Sequence, residues 1–313
     1  MITFLTKRTA TLVAAVLLSS FAVFLIPYVT PGDPVRKIIR SRVSGDVVDE
    51  STVQALGQSL GLHDPLPVQY LRWLGDFFSG DMGLSHVSRT PVVDQVLPAL
   101  GITLSLVLVA LGTAVVVSLT LGIVAALKQG GRTDRMITAV TQALIAVPEY
   151  WLAPLLVLTF ALRLSLLPSA GWSTTSSIVL PAATLALRPI SFFTSAVRSG
   201  MIYALEAEHI DAARARGLSR GQTLMRHVIP NGLVPLSTLF AVWFAGLLGG
   251  SVIVEVIFAI PGMGRLLYDA VVNSDIPLAQ GGVVVVVALA VAITTLADFL
   301  HRFLSPKVSA ALA

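Results

Sequence analysis

No cysteine occurs among the 313 residues, so disulfides and thiol chemistry are excluded. Charge is scarce too: only 12% of residues are Asp, Glu, Lys or Arg, where a soluble domain carries about 25%. With 55% of the chain apolar, the main solvent is lipid. That overrules the two soluble domains the length alone would allow. Lysine stands only at 7, 37, 128 and 307, never after a glycine. The phosphate-cradling pattern G-x-x-x-x-G-K-[ST] is therefore missing, and the chain cannot hold ATP in that way. No H-E-x-x-H, G-x-S-x-G or cysteine–histidine constellation is present, so enzymatic chemistry has no visible home. No internal repeat is visible either, and with it goes the usual signature of a self-sufficient secondary transporter.

What is present is a series of long apolar runs. Six reach the roughly 20 residues that a helix needs to cross a bilayer: Thr9–Val29, Ile102–Leu127, Met136–Leu162, Ile178–Val197, Leu233–Ile253 and Gly281–Leu300. They must be helical, because lipid leaves a lone backbone N–H or C=O unsatisfied. The first run follows Lys7 and Arg8, as a signal peptide would. It is longer than such a segment and ends without a small-x-small cleavage site, so it reads as a retained span. Lys and Arg set the orientation. With the N-terminus inside, the inner segments hold Lys7, Arg8, Lys128, Arg132, Arg135, Arg198, Arg214, Arg216, Arg220, Arg226, Arg302 and Lys307, against Arg163 and Arg265 in the short outer loops. Both termini are expected in the cytoplasm. The fold class is an all-α polytopic membrane protein of six transmembrane helices, divided into 1–29, an extracytoplasmic cap 30–101, and a core 102–313 that contains the loop 198–231.

The cap opens on Pro31-Gly32-Asp33-Pro34, a helix stop and turn. Two helices are expected within it: Ser51–Leu60, with Val53, Leu56 and Leu60 on one face, and Val68–Phe78, with Leu71, Leu74 and Phe78 on another. The cap either packs on the outer ends of the spans or docks a soluble partner; the residues leave both open. After the fifth run, Glu255–Gln280 is too polar and too broken by Pro261-Gly262-Met263-Gly264 and Pro277 to cross, and a short amphipathic helix is expected near Arg265–Val272.

The polar stretch Ala207–Asn231 stands out, because loops between spans are usually plain. Ile202, Leu205, Ile210 and Ala213 form one helical stripe, with Glu206, Glu208, Asp211 and Arg214 around it. Gly217 after Arg214 and Arg216 is a stop signal. Ser219 three residues before Gln222 is a capping box that opens a second helix, which Pro230 is expected to close. Helix, sharp turn, helix is a rigid knob suited to transmit force. The acids argue against the alternative, an amphipathic helix lying on the anionic inner leaflet.

Asp211-Ala212-Ala213, Gly217 and Ile229-Pro230 resemble the EAA loop of binding-protein-dependent ABC importer permeases. The rest of the chain is similar to the dipeptide/oligopeptide/nickel branch of that family: Pro31-Gly32-Asp33-Pro34, Gly61-Leu62, Asp64-Pro65-Leu66, Gln69-Tyr70, Gly80-Asp81-Met82-Gly83, Pro91-Val92, Ala213-Arg214-Ala215, Gly217-Leu218-Ser219, His227, Asn231, Gly249-Gly250, Glu255, Phe258, Pro261-Gly262-Met263-Gly264, Arg265-Leu266 and Asp275-Ile276-Pro277. Each piece is weak alone; the ordered set, over essentially the whole chain, is specific. Two positions depart from the pattern. The acid of the triplet is Asp211 rather than Glu, and Glu149 stands where the family has a small polar or apolar residue.

The resemblance implies the type I importer permease fold in the prokaryotic plasma membrane, and a non-catalytic subunit without cofactor of its own. It implies four kinds of partner. These are a second homologous permease, two ATP-binding subunits that carry ATP and Mg, an extracytoplasmic substrate-binding protein, and membrane lipid. It implies that Leu205, Ile210, Asp211, Ala212, Ala213, Arg214, Gly217 and Leu218 couple the chain to the ATPase, and that the cargo is di- or oligopeptides, with nickel chelates, glutathione or another small solute as alternatives. Leu218-Ser219-Arg220-Gly221-Gln222 is similar to a nucleotide-binding signature, but without a P-loop it is coincidence. Two charges fall inside the runs, Glu149 and Arg188. An intramembrane charge needs a partner or water. Either the two form a structural ion pair or Arg188 reaches toward an interface, or Glu149 lines the pathway and meets the ammonium of a peptide or another cation. Asp298 and His301, three apart at the end of the sixth run, are weak as a metal site, and an interfacial anchor is the better reading.

Overall fold

The computed structural model describes residues 2–29, 31–33, 35–37, 50–59 and 61–304. Pro34, Leu60 and Lys307 lie outside them, as do the side chains of Lys7, Arg8, Leu56, His209, Arg214, Asp298, His301 and Arg302. Among the described residues the regular elements are helices, joined by turns and loops, and the β pairing is a lone bridge between Leu84 and Pro91. In chain order the helices are α1 (Ile2–Phe24), α2 (Ile26–Val29), α3 (Glu50–Ser59), α4 (Leu66–Phe78), α5 (Val92–Leu127), α6 (Arg132–Ile145) and α7 (Glu149–Leu156). They continue with α8 (Val179–Leu205), α9 (Glu208–Ala215), α10 (Arg220–Thr223), α11 (Ile229–Gly232), α12 (Val234–Gly250), α13 (Val252–Ile257), α14 (Met263–Val272) and α15 (Ile276–Leu304). Among the described residues five helical stretches are long and apolar enough to cross a membrane. A sixth crossing arises if α6 and the α7 segment form one broken span.

Two compact units divide the chain. The first comprises Met1–Thr103 and Pro261–Ala292. Its core joins Val92, Val96 and Ala99 on α5 to Met263 and Ala270 on α14 and to Leu278 and Ala279 on α15. That core explains why α5 starts at Val92 and not at the expected Ile102. Asp94, Gln95 and Pro98 look unlike a span, yet one face of this turn is apolar and buried, and the Val92 N–H donates to the Gly83 carbonyl at 3.0 Å. Pro98 lies inside α5, past the four leading residues whose N–H groups lack intrahelical partners, so the helix forgoes one hydrogen bond there. In α4 the sequence stripe misleads. Tyr70 and Trp73 turn to α1 and Gln69 accepts the Tyr28 hydroxyl of α2, while Leu71 and Phe78 stay 66% and 72% exposed.

The second unit comprises Leu104–Ile260 and Ile293–Ala313. The third apolar run, expected as one helix over Met136–Leu162, is broken. Pro148, extended at ψ 139°, cannot continue α6, and α7 leaves at 101° to it. Pro154 lies inside α7, and the segment ends in a wide π turn, Val157–Arg163, a geometry that relieves a missing backbone donor. The spine of this unit is α8, with Phe193, Val197 and Met201 fully buried. It packs against α6, α11 and α12. At its inner end a Cβ on Gly200 would sit 2.2 Å from the Gly232 carbonyl oxygen, so only glycine lets α8 and α11 approach this closely.

Candidate functional site

The polar loop folds as a chain of short rigid pieces. α8 ends at Leu205, and Glu206 caps it through its N–H to Ile202 and Ala204. The stripe expected to be continuous from Ile202 to Ala213 is therefore split at Glu206–Ala207. Ile202 and Leu205, both half-buried, belong to α8, whereas Ile210 and Ala213 are the fully buried anchors of α9. On the opposite side Asp211 and Ala212 are exposed.

The stop after α9 is built from its glycine. Gly217 has φ +84°, and the Leu218 N–H reaches back to the Ala213 carbonyl at 3.4 Å. This is the Schellman arrangement that satisfies a helix's last carbonyls. A Cβ at Gly217 would meet nothing within 4 Å, so the backbone angle and not crowding demands glycine here. Leu218 is half-buried. Ser219 then receives the Gln222 N–H at 3.3 Å, and the Gln222 side chain accepts the Ser219 N–H at 3.0 Å, the reciprocal box expected from their spacing. Beyond it Pro230 does not close the second helix. It sits in the first turn of α11, after a π turn over Leu224–Val228, and the apolar stretch runs from Arg220 to Gly250. The wide turn absorbs the donor that proline lacks. The knob is thus fused to the fifth span. Leu127, Leu205, Arg220, Thr223, Leu224 and Val228 line a cavity of about 540 Å³ beside it.

Charged side chains pair within the same unit. The Nε of Arg188 stands 3.9 Å from Oε1 of Glu149, bringing together the two charges picked out in the sequence; the arginine is 44% exposed and the carboxylate 16%. The second pair is tighter and was not singled out. Asp134 on α6 accepts Nε and Nη2 of Arg198 on α8 at 2.6 and 2.8 Å, and the Gly130 N–H at 2.9 Å. Its only hint in the sequence is an acid in the first turn after Gly130-Gly131.

A sequence profile of binding-protein-dependent transport system inner membrane components matches residues 118–310, and the N-terminal profile of the same systems matches residues 1–107. The chain belongs to this family. It is a multi-pass permease subunit of the inner membrane. The permease is 32% identical over 308 residues to the metal-staphylopine import system permease protein CntB of Staphylococcus aureus, covering 98% of both chains. It is 34% identical over 310 residues to a Brucella abortus permease protein named for a peptide transport system, covering 96% of this chain and 97% of that one. It is 30% identical over 308 residues to the glutathione transport system permease protein GsiC of Escherichia coli, covering 98% and 99%. In fold the permease is similar to the inward-facing methionine ABC transporter MetNI, with a TM-score of 0.56 at 19% identity over 67% of this chain and 95% of that one. A crystallised amino acid ABC transporter gives 0.51 at 16% identity, over 67% and 94%. The permease therefore has the type I ABC importer fold.

Proposed function

We propose that this permease forms half of the translocation pathway of an ATP-driven importer for di- or oligopeptides, and that α9 is the element through which two ATPase subunits move it. ATP and Mg belong to those subunits. A soluble receptor delivers the cargo from outside, and a second permease of similar fold completes the pathway. One observation carries the coupling role: α9 is anchored by Ile210 and Ala213, leaves Asp211 and Ala212 exposed, and is locked by Gly217 and the Ser219–Gln222 box to a helix continuous with the fifth span. A push on α9 then tilts a span instead of bending a loop. Leu205, Arg214 and Leu218 flank the same knob in sequence.

The peptide reading is supported by the relative named for peptide transport. Relatives named for metal-staphylopine and glutathione are of nearly equal likeness, so a metal chelate or glutathione is the second reading. The 3.9 Å contact between Glu149 and Arg188 supports the structural ion pair over a carboxylate kept for passing cargo.

The test of coupling is Gly217→Val in the reconstituted complex. A β-branched residue in the left-handed region costs about 1–2 kcal/mol, enough to unlock the turn without touching any span. Insertion and complex assembly persist, while uptake per ATP hydrolysed falls at least tenfold. Unchanged uptake per ATP overturns the role of α9. Cargo is tested separately, by identifying what the purified receptor binds.

A further inference from the structure

The second helix of the expected external cap, α4, is held at a depth that belongs to the bilayer. Tyr70 hydrogen-bonds with its hydroxyl to Ser20 Oγ at 2.7 Å and to the Leu17 carbonyl at 3.1 Å, and its ring meets Phe21 edge-on at 5.2 Å. Trp73 packs on Phe24 at 5.8 Å. These partners lie well inside the first span, Thr9–Val29. At about 1.5 Å per residue, Ser20 lies roughly 13 Å in from Val29, close to the middle of a hydrocarbon core about 30 Å thick. A helix whose tyrosine reaches that far down α1 does not stand clear of the membrane.

The surface of α4 agrees with this placement. Pro67, Leu71, Leu74 and Phe78 recur at helical spacing and form a second apolar face beside the one that meets α1. Leu71 and Phe78 are the two most exposed of its large apolar side chains. The polar residues form a narrow wedge and are engaged locally. Gln69 donates to the Leu62 and Asp64 carbonyls, and Arg72 pairs with Asp64 at 2.8 Å. The span that α4 packs on is itself an exposed apolar surface, with Leu18 71% exposed in a span only 22% buried. We infer that α4 is an outer-leaflet helix whose Leu71–Phe78 face is solvated by lipid acyl chains, tethering the segment before α5 to the membrane. Its aromatic side chains and its paired Arg72 suit the interface, where amphipathic rings and long basic side chains gather. A soluble receptor docking on this face, or the second permease covering it, are the competing occupants.

The absence of cysteine makes the test direct. Single Leu71→Cys and Phe78→Cys variants are spin-labelled in the assembled importer in phospholipid nanodiscs, with Leu18→Cys as lipid reference and Gln129→Cys as aqueous reference. Collision rates with oxygen and with a water-soluble nickel chelate are then compared. Lipid contact gives both sites an oxygen-to-nickel ratio several-fold above that of Gln129→Cys and near that of Leu18→Cys. A ratio like that of Gln129→Cys shows a water-facing surface and overturns the proposal. So does low access to both reagents, which shows a protein cover, and so does loss of oxygen access on adding the receptor protein.

Discussion

The residues that fix the inner end of the core are Asp134 and Arg198. The carboxylate is almost wholly buried and takes both arms of the guanidinium and the Gly130 amide, so its charge is fully answered by donors. Such a pair adds little net stability over apolar residues of similar size, but breaking it strands a buried charge, at about 3–5 kcal/mol. Arg198→Met is therefore expected to destabilise the detergent-solubilised protein by about 3 kcal/mol. Asp134→Leu combined with Arg198→Met recovers much of the loss, because no charge is left alone. Thermal unfolding followed by size-exclusion chromatography reads both. A double variant no more stable than the single one shows that the pair contributes more than mutual neutralisation.

Among the elements, the loop before α5 is bound to the start of α15 by one side chain. Asp275 accepts the Ser85 hydroxyl, the His86 N–H at 3.0 Å and, as the cap of α15, the Leu278 N–H at 3.3 Å. His86 bonds onward through Nε2 to the Lys37 carbonyl at 3.1 Å. Burial holds the His86 imidazole below its ordinary value, with the charge of Arg89 adding to it, while Asp275 and the carbonyls of Lys37 and Ser274 pull the other way. The sign follows from linkage. A histidine depressed in the folded state binds its proton more readily in the unfolded chain, so stability rises with pH through the window below the unfolded value of about 6.5. The first unit is expected to lose stability as pH falls from about 7 toward 5, and His86→Gln, which keeps a donor but does not titrate, loses less. Protease nicking of the 79–91 loop across that range measures it, and equal pH slopes in the two proteins reject the assignment.

At the scale of the whole molecule, what was legible in the sequence is what local chemistry dictates. Apolar runs gave the spans, and Ser219 and Gln222, three apart, gave their cap because such a box closes within one turn. Gly217 announced its positive φ for the same reason. The rest depends on distant neighbours. Nothing near Asp134 names Arg198, and the stripe of Leu71, Leu74 and Phe78 looks like a packing face until Tyr70 is seen bonded to α1. Pro148 lies within the expected third span, but a proline fixes only its own φ and says nothing of a 101° turn. That turn decides the topology. If α6 and α7 together cross, the molecule has six crossings, and Arg198, Arg214, Arg216, Arg220 and Arg226 lie inside with Lys128 and Arg132. If the pair instead dips in and returns, those five arginines come out on the far side, against the charge rule for short loops, and α9 is beyond the reach of any cytoplasmic ATPase. The crossing arrangement is therefore expected. Alkaline phosphatase fused after Trp172 is active and fused after Gly217 is inactive, and a fluorescent protein fused after Ala313 lights up in the cytoplasm. The reverse pattern at Trp172 and Gly217 establishes the re-entrant fold and removes the basis for driving this chain through its polar loop.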